Sequence, residues 1–324
     1  MEPVIQPRID KAFIDASPSG FHVVTPGVGD YSHEDINQAL FRLVERVQSE
    51  CHLLLQPLRL TLVTESLGDA ANFWNRELGS PESGVSDGAV GKHISWGSDL
   101  DSARSIVILS LGVSHGVASG LSIAIATVIH ELVHVHDDFV RGMKFGFRRH
   151  SNHADDWPAI CAHLAEIAWS EYAAEAVAAS YMTAEDLQTL ITDDPAHLVS
   201  THQQLRELIR CYQLRQLDLG TLWSQALTHF SHIFANLGRA AARFRCAESG
   251  KDARAGFVNA IGEAAPWQPV VEQIFGELNA LDDKAYSGWA AEPFVGLGEQ
   301  VGAGFNAAGF FPIPCGQNLR LNVS

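Results

Sequence analysis

The sequence predicts an α+β fold, in which a compact core with a small mixed sheet and two buried helices is followed by a mainly helical region. The strand-like segments "LRLTLV" (58–63), "HISWG" (93–97) and "SIVILS" (105–110) predict the sheet. Residues 119–139 are apolar on nearly every face, which is typical of a helix at the centre of a core. From residue 183 onward, one helical pattern follows another.

Several helix ends carry capping signals. Ser32 followed by Asp35 predicts a helix start. The apolar residues that follow at helical spacing are Ile36, Leu40, Leu43, Val44 and Val47. Asp156 and Pro158 predict the start of a helix that runs to about Met182. The later helices are expected at 184–191, 195–217, 221–246 and 269–281, and the Gly-rich tail from residue 287 is expected to be irregular chain.

Length and composition predict a globular protein with one internal boundary. The 324 residues are enough to bury a core, and 46% apolar with 19% charged residues is not a disordered composition. We expect a core with an N-terminal helix at 1–182 and a helical region with the Gly-rich tail at 183–324. No linker-like stretch separates the two, so one continuous domain is the alternative.

The charge, the cysteines and the first residues restrict partners and location. A formal net charge of −16 argues against nucleic acid, which requires a basic surface. The five cysteines are far apart and form no CxxC, which predicts reduced thiols. The N-terminus "MEPVIQPRID" has no apolar stretch of the kind found in a secretory signal. We therefore expect a cytoplasmic protein, with export by a signal-less route left open.

Residues 105–129 carry no formal charge and are long enough to span a bilayer. Their middle, "GVSHGVASG", places His115, glycines and serines where a span should be most apolar. We therefore expect a strand followed by a core helix, and no stable membrane insertion.

The strongest signal for chemistry is "ATVIHELVHVHDD" (126–138). Positions i and i+4 of a helix share a face, so His130 and His134 can direct two imidazole nitrogens at one ion about 2 Å away. Glu131 is rotated by one position and is placed to take a proton from a water beside that ion. HExxH also occurs by chance, but burying His, Glu and His on one helix is costly without a partner such as a metal. The pattern predicts one Zn²⁺ per chain.

The third metal ligand distinguishes the subclasses of HExxH protein. A metzincin would have Gly at 137 and His at 140, where this chain has Asp137 and Val140. His136 faces away from the histidine pair, so it is expected to lie at the surface or to support a ligand, and not to bind the ion itself. The stretch "WSEYAAEAVAAS" (169–180) offers two glutamates. Glu171 lies on a face of small residues that allows close helix approach, so phasing favours it over Glu175, which is expected to accept a hydrogen bond from a liganding histidine.

At these residues the chain resembles a known family. "HELVH" followed by "EYAAEAVAA" resembles the gluzincin arrangement, and its spacing is similar to that of the compact ImmA/IrrE-like metallopeptidases. Over about residues 58–182, the resemblance implies a zincin-like core, with zinc on His130, His134 and Glu171 and with Glu131 as the base. It also implies a small sheet whose edge strand, expected at "SIVILS", binds an extended peptide.

These observations predict a zinc metalloendopeptidase that hydrolyses peptide bonds of a protein or peptide substrate. Such a hydrolase needs a further donor to the developing oxyanion. The candidates are Tyr172, Tyr181, His150 and His153. The alternative hypothesis is a catalytically idle zincin fold that acts as a zinc-stabilised binding or regulatory module. An intact Glu131 argues against it, because a structural zinc site needs no base.

Overall fold

A computed structural model describes residues 11–16, 22–24, 33–78, 90–147, 156–315 and 318–324. Over these residues the fold is mixed α+β and mostly helical, as the sequence predicts. The chain divides into two compact units, Met1–Arg148 and Arg149–Ser324. The predicted domain boundary at residue 182 stays a prediction.

The first unit contains a four-stranded mixed sheet of order β1-β2-β4-β3. Its strands are β1 (His22–Val24), β2 (Leu58–Thr64), β3 (Gly91–Trp96) and β4 (Arg104–Ser110). β1, β2 and β4 are parallel, whereas β3 runs antiparallel to β4. The small mixed sheet and its three predicted strands are therefore confirmed.

The expectation that "SIVILS" forms the sheet edge is wrong. This segment lies in β4, which pairs with β2 on one side and with β3 on the other. Five consecutive residues of β4 are buried, as expected for an inner strand covered on both faces. Among the described strands, β3 occupies that edge of the sheet.

The helices of the first unit are α1 (Lys11–Ala16), α2 (His33–Glu50), α3 (Leu67–Glu77), α4 (Leu111–Ala118) and α5 (Ser122–Phe145). The sequence missed α4, because its apolar run merges with that of the core helix. Ser110 caps α4, and Gly120, with φ of 74°, lies in the break before α5. No single described helix is long and apolar enough to cross a membrane; α4 and α5 meet that criterion only as a pair, bent by 117°.

The second unit is mainly helical. Its helices are α6 (Trp157–Ala178), α7 (Ala184–Gln213), α8 (Leu219–Cys246), α9 (Gly250–Ala260), α10 (Gln268–Lys284) and α11 (Val295–Ala307), with short 3₁₀ turns at Ala179–Tyr181, Gly262–Trp267 and Tyr286–Gly288. The strands β5 (Phe310–Cys315) and β6 (Asn318–Val323) form an antiparallel hairpin. Asp156 caps α6, as predicted.

Two predictions for this unit are wrong. The sequence predicted two helices, the second of which begins at Pro195, but α7 continues through this residue. Proline has no backbone N–H, so one helical hydrogen bond is lost at this position. Pro195 is buried on the packed face of α7, and this packing offsets the loss.

The tail after residue 287 forms α11 and the hairpin. Gly304 of α11 leaves room for aromatic rings, since a Cβ there would lie 2.9 Å from Trp267 and 3.0 Å from Phe234. Local pattern does not reveal such packing.

A buried ion cluster joins α6, α7 and α8. Arg243 of α8 donates to Glu175 of α6 (Nε to Oε1, 2.6 Å) and to Asp194 of α7 (Nη1 to Oδ1, 2.5 Å). All three side chains are at most 10% exposed. Burial raises the pKa of Asp194 to about 6, with Glu175 adding to the rise and Arg243 opposing it. The charge of Arg243 therefore compensates two buried carboxylates, and the packing of α6, α7 and α8 depends on this compensation.

Arg243→Met should lower the free energy of unfolding by about 3–5 kcal/mol, because Glu175 and Asp194 lose the guanidinium that offsets their buried charge. Urea unfolding monitored by circular dichroism would measure this loss. Arg210→Met is the matched control, since Arg210 forms an exposed pair with Glu207 on α7. Equal midpoints for the two variants would contradict the assigned role of the cluster.

Candidate metal centre

Helix α5 and strand β3 align residue by residue in the first unit. Alternate residues of a strand share a face, and residues three or four apart share a face of a helix. Gly91 lies against Glu131, and the ring of His93 stacks on that of His134, with centroids 6.1 Å apart and an angle of 15° between planes. One turn further along, the Ser95 hydroxyl donates to Asp138 (2.7 Å). The face of α5 that carries the HExxH motif is therefore fixed against the edge strand.

His130 and His134 lie on one face of α5, as the spacing predicts. Their Nε2 atoms are 3.1 Å apart, and their rings meet edge to face with centroids 4.7 Å apart. Two ligands that are each about 2.0–2.1 Å from one Zn²⁺ can be separated by this distance. The two imidazoles therefore fit a single ion without a rotation of the helix.

Glu131 is 9% exposed and lies beside the backbone of β3. A Cβ at residue 91 would lie 2.8 Å from Glu131 Oε1 and 2.9 Å from its Cγ. Because only glycine leaves this space, Gly91 allows the carboxylate to occupy its position next to the strand. This role of Gly91 was not predicted from the sequence, because it depends on the position of β3 against α5.

His93 is a second residue that the sequence analysis missed. Its ring is nearly buried, with Nε2 3.4 Å from Ser105 Oγ and Nδ1 3.8 Å from Asp138 Oδ2. Burial lowers the pKa of His93 to about 4, although Asp138 opposes the shift. His93 is therefore a neutral ring against which His134 packs. Its position two residues after Gly91 in a strand pattern is the signal that could have placed it on the same face.

The polar residues after the HExxH motif have structural partners. His136 Nδ1 accepts a hydrogen bond from the Leu54 backbone N–H (2.9 Å), so this ring fixes the loop after α2. Burial lowers the pKa of His136, with Asp137 opposing the shift. Arg141 donates to Asp137 (3.0 Å) and to Asp138 (2.7 Å). These partners hold the end of α5 in place.

The two candidate glutamates have different surroundings in the second unit. Glu171 is 21% exposed, and its Oε2 accepts a hydrogen bond from Arg239 of α8 (3.0 Å). Glu175, one turn later, is 4% exposed and accepts from Arg243 in the buried cluster. The sequence did not predict either arginine partner. Glu175 is therefore paired with Arg243 in the core of the unit, whereas Glu171 remains partly exposed to solvent.

His130, His134 and Glu171 form a group that could hold a metal ion, since one ligand atom of each lies within 4.8 Å of the others. Two imidazole nitrogens and one carboxylate oxygen are a donor set that zinc commonly takes in catalytic sites, where the fourth position is left for water or substrate. The residues thus fit the ion that the sequence predicts.

The structure narrows the candidates for an oxyanion donor. Tyr172 is fully buried in the second unit, where its hydroxyl lies 3.1 Å from Asn279 Oδ1 and 3.2 Å from Asp282 Oδ2. Burial raises its pKa. Tyr172 is therefore part of the core of this unit. Tyr181 lies in the 3₁₀ turn after α6, and the candidates His150 and His153 lie outside the described residues.

No family model, curated protein or solved structure matches this chain. The resemblance to the gluzincins stays a prediction. The geometry of these side chains is accordingly the basis for assigning a function.

Proposed function

We propose that this chain is a zinc-dependent metalloendopeptidase that hydrolyses peptide bonds of a protein substrate. The observation that carries the proposal is the clustering of one ligand atom from each of His130, His134 and Glu171 within 4.8 Å. The nearly buried Glu131, next to the first of these ligands in the chain, supports it by supplying a base where hydrolysis needs one. A purely structural zinc site would not require this base.

The chain's own residues have separate roles in the proposed reaction. His130, His134 and Glu171 would hold Zn²⁺, which polarises the scissile carbonyl and makes a bound water more acidic. Glu131 takes a proton from the attacking water and passes it to the leaving amine. Gly91 leaves the space in which the Glu131 carboxylate lies. The apolar residues of α5 keep the surroundings dry, which strengthens these electrostatic interactions.

The edge strand β3 supports a protein or peptide as the substrate. Among the described strands, β3 pairs with β4 alone and is the last strand at this end of the sheet, next to the HExxH helix. An extended peptide can add to such an edge through main-chain hydrogen bonds. A substrate bound in this way would lie alongside Gly91 and therefore next to Glu131.

The first prediction concerns the metal ligands. The purified protein should hold about one zinc per chain, and Glu171→Gln should lose most of it while the fold is kept, because the amide has the shape of the carboxylate without its charge. Glu175→Gln should keep the zinc but melt at a lower temperature, since it weakens the Arg243 cluster. Metal analysis and thermal melting of both variants would measure these effects; zinc loss confined to Glu175→Gln would place the third ligand one turn later.

The second prediction concerns the base. Glu131→Gln should keep its zinc and its melting temperature but lose about 10²–10⁴-fold in turnover, since general acid–base catalysis contributes about this much. Cleavage of denatured casein, followed by mass spectrometry, would measure turnover. Undiminished cleavage by this variant would remove the mechanism. A wild-type protein that holds zinc but cleaves neither casein nor a mixed peptide library would favour the non-catalytic module.

The third prediction tests the fit between β3 and α5. Gly91→Ala should reduce turnover by about 10²-fold, because a small misplacement of a catalytic group has an effect of this size. Zinc content should be unchanged, since the three atoms nearest to the added Cβ all belong to Glu131, which is not one of the proposed ligands. Gly112→Ala is the matched control, because a Cβ at Gly112 has no neighbour within 4 Å. Equal turnover of the two alanine variants would contradict the assigned role of Gly91.

A further inference from the structure

Glu171 lies on α6 at the place where α8 approaches most closely. A Cβ at Gly238 of α8 would lie 2.2 Å from the carbonyl oxygen of Ala168, so glycine is required for the two helices to pack at this distance. Residue 239 follows directly on α8, and Glu171 lies about one turn after Ala168 on α6. This packing brings the Arg239 guanidinium to Glu171, and its Nη1 donates to Oε2 at 3.0 Å.

The position of Arg239 is fixed by other contacts in the second unit. Its Nη2 donates to Asn236 Oδ1 one turn earlier on α8. Arg243, one turn later, donates to Glu175, and both pairs join residues that are 68 positions apart in the chain. Two ion pairs with the same offset fix the register of α8 against α6. The guanidinium therefore cannot move along the helix without breaking the buried cluster.

The two pairs differ in exposure, and this difference points to a function. The Arg243–Glu175 pair is at most 10% exposed, as expected of a structural contact. In the other pair, Arg239 is 32% and Glu171 21% exposed, so the carboxylate of Glu171 is reachable from outside the helix pair. A planar guanidinium fixes a carboxylate oxygen in direction as well as in distance.

We propose that Arg239 is a positioning residue for the metal centre, which holds Oε2 of Glu171 and leaves Oε1 as the single oxygen that binds the ion. The inference rests on the proposed zinc site. With one carboxylate oxygen and two histidine nitrogens as ligands, the fourth position of a tetrahedral ion stays free for water or substrate. A carboxylate that binds through both oxygens would fill that position.

Co²⁺ alone, added to the full-length metal-free protein, tests this assignment. Its visible bands are intense in four-coordinate sites and weak in sites with more donors. The wild type should give intense bands, and Arg239→Met should lose intensity, because the freed Oε2 adds a donor to the ion. Arg239→Lys, which keeps the charge and one donor direction, should restore part of the intensity.

Arg245→Met is the matched control. Arg245 also lies on α8, but its ion pairs are with Asp282 and Asp283, each at 3.0 Å, and not with Glu171. It should give the wild-type spectrum. Identical spectra for Arg239→Met and the wild type, or an equal loss in Arg245→Met, would overturn the inference and leave the zinc site standing. A folded wild type that takes up no Co²⁺ would instead overturn the proposed metal centre. Circular dichroism of each variant tests whether the fold is intact. If Arg239→Met does not fold, the Co²⁺ spectrum of Arg239→Lys is the test, and a spectrum equal to that of the wild type would overturn the inference.

Discussion

A carboxylate that leaves water needs a cation or several hydrogen bonds, and helix α6 carries two such carboxylates in the second unit. Glu175 meets this requirement with Arg243, and Glu171 meets it with Arg239. Both contacts depend on the close approach of α6 and α8, which the glycine at 238 permits. The charge compensation of both carboxylates, and with it the position of a candidate ligand, therefore depends on the packing and register of these two helices.

The first unit holds Glu131, the proposed base, beside the two candidate metal ligands His130 and His134 and in a direction that differs from theirs. The helix places Glu131 one position away from His130, so the three motif residues leave the axis in fixed directions. Alternate residues of strand β3 face this helix. Gly91 leaves space for the Glu131 carboxylate, and the ring of His93 packs against that of His134. A helix that lacked this strand would present the same residues with less defined rotamers.

Elements that depend on local periodicity and caps could be predicted from the sequence. The three strands and the capped start of α6 were predicted with nearly the right bounds, and the HExxH helix was predicted at 119–139, where α5 is Ser122–Phe145. Features that depend on distant partners could not. The edge strand was misassigned, because strand order follows from pairing and not from apolarity. Arg239 lies 68 residues after the glutamate it contacts, and its segment reads as an ordinary basic helix face. The glycines of α11 were taken for a loop signal, because the side chains that pack against them, such as Trp267 and Phe234 at Gly304, come from distant parts of the chain.

The arginine partner also changes how the candidate ligand is to be understood. A buried carboxylate needs a cation, but Arg239 already supplies one, so the partial burial of Glu171 is not by itself an argument for zinc. The argument for a metal ion is instead the donor set and its clustering. Arg239 has a further consequence for charge. Two neutral histidines, Glu171 and Arg239 sum to zero charge, so a Zn²⁺ ion bound there would keep its double positive charge, with the carboxylate of Glu131, the proposed base, nearby in sequence. This positive charge would favour the oxyanion of the proposed hydrolysis, so a ligand set compensated by an arginine suits the proposed catalytic role better than a purely structural one.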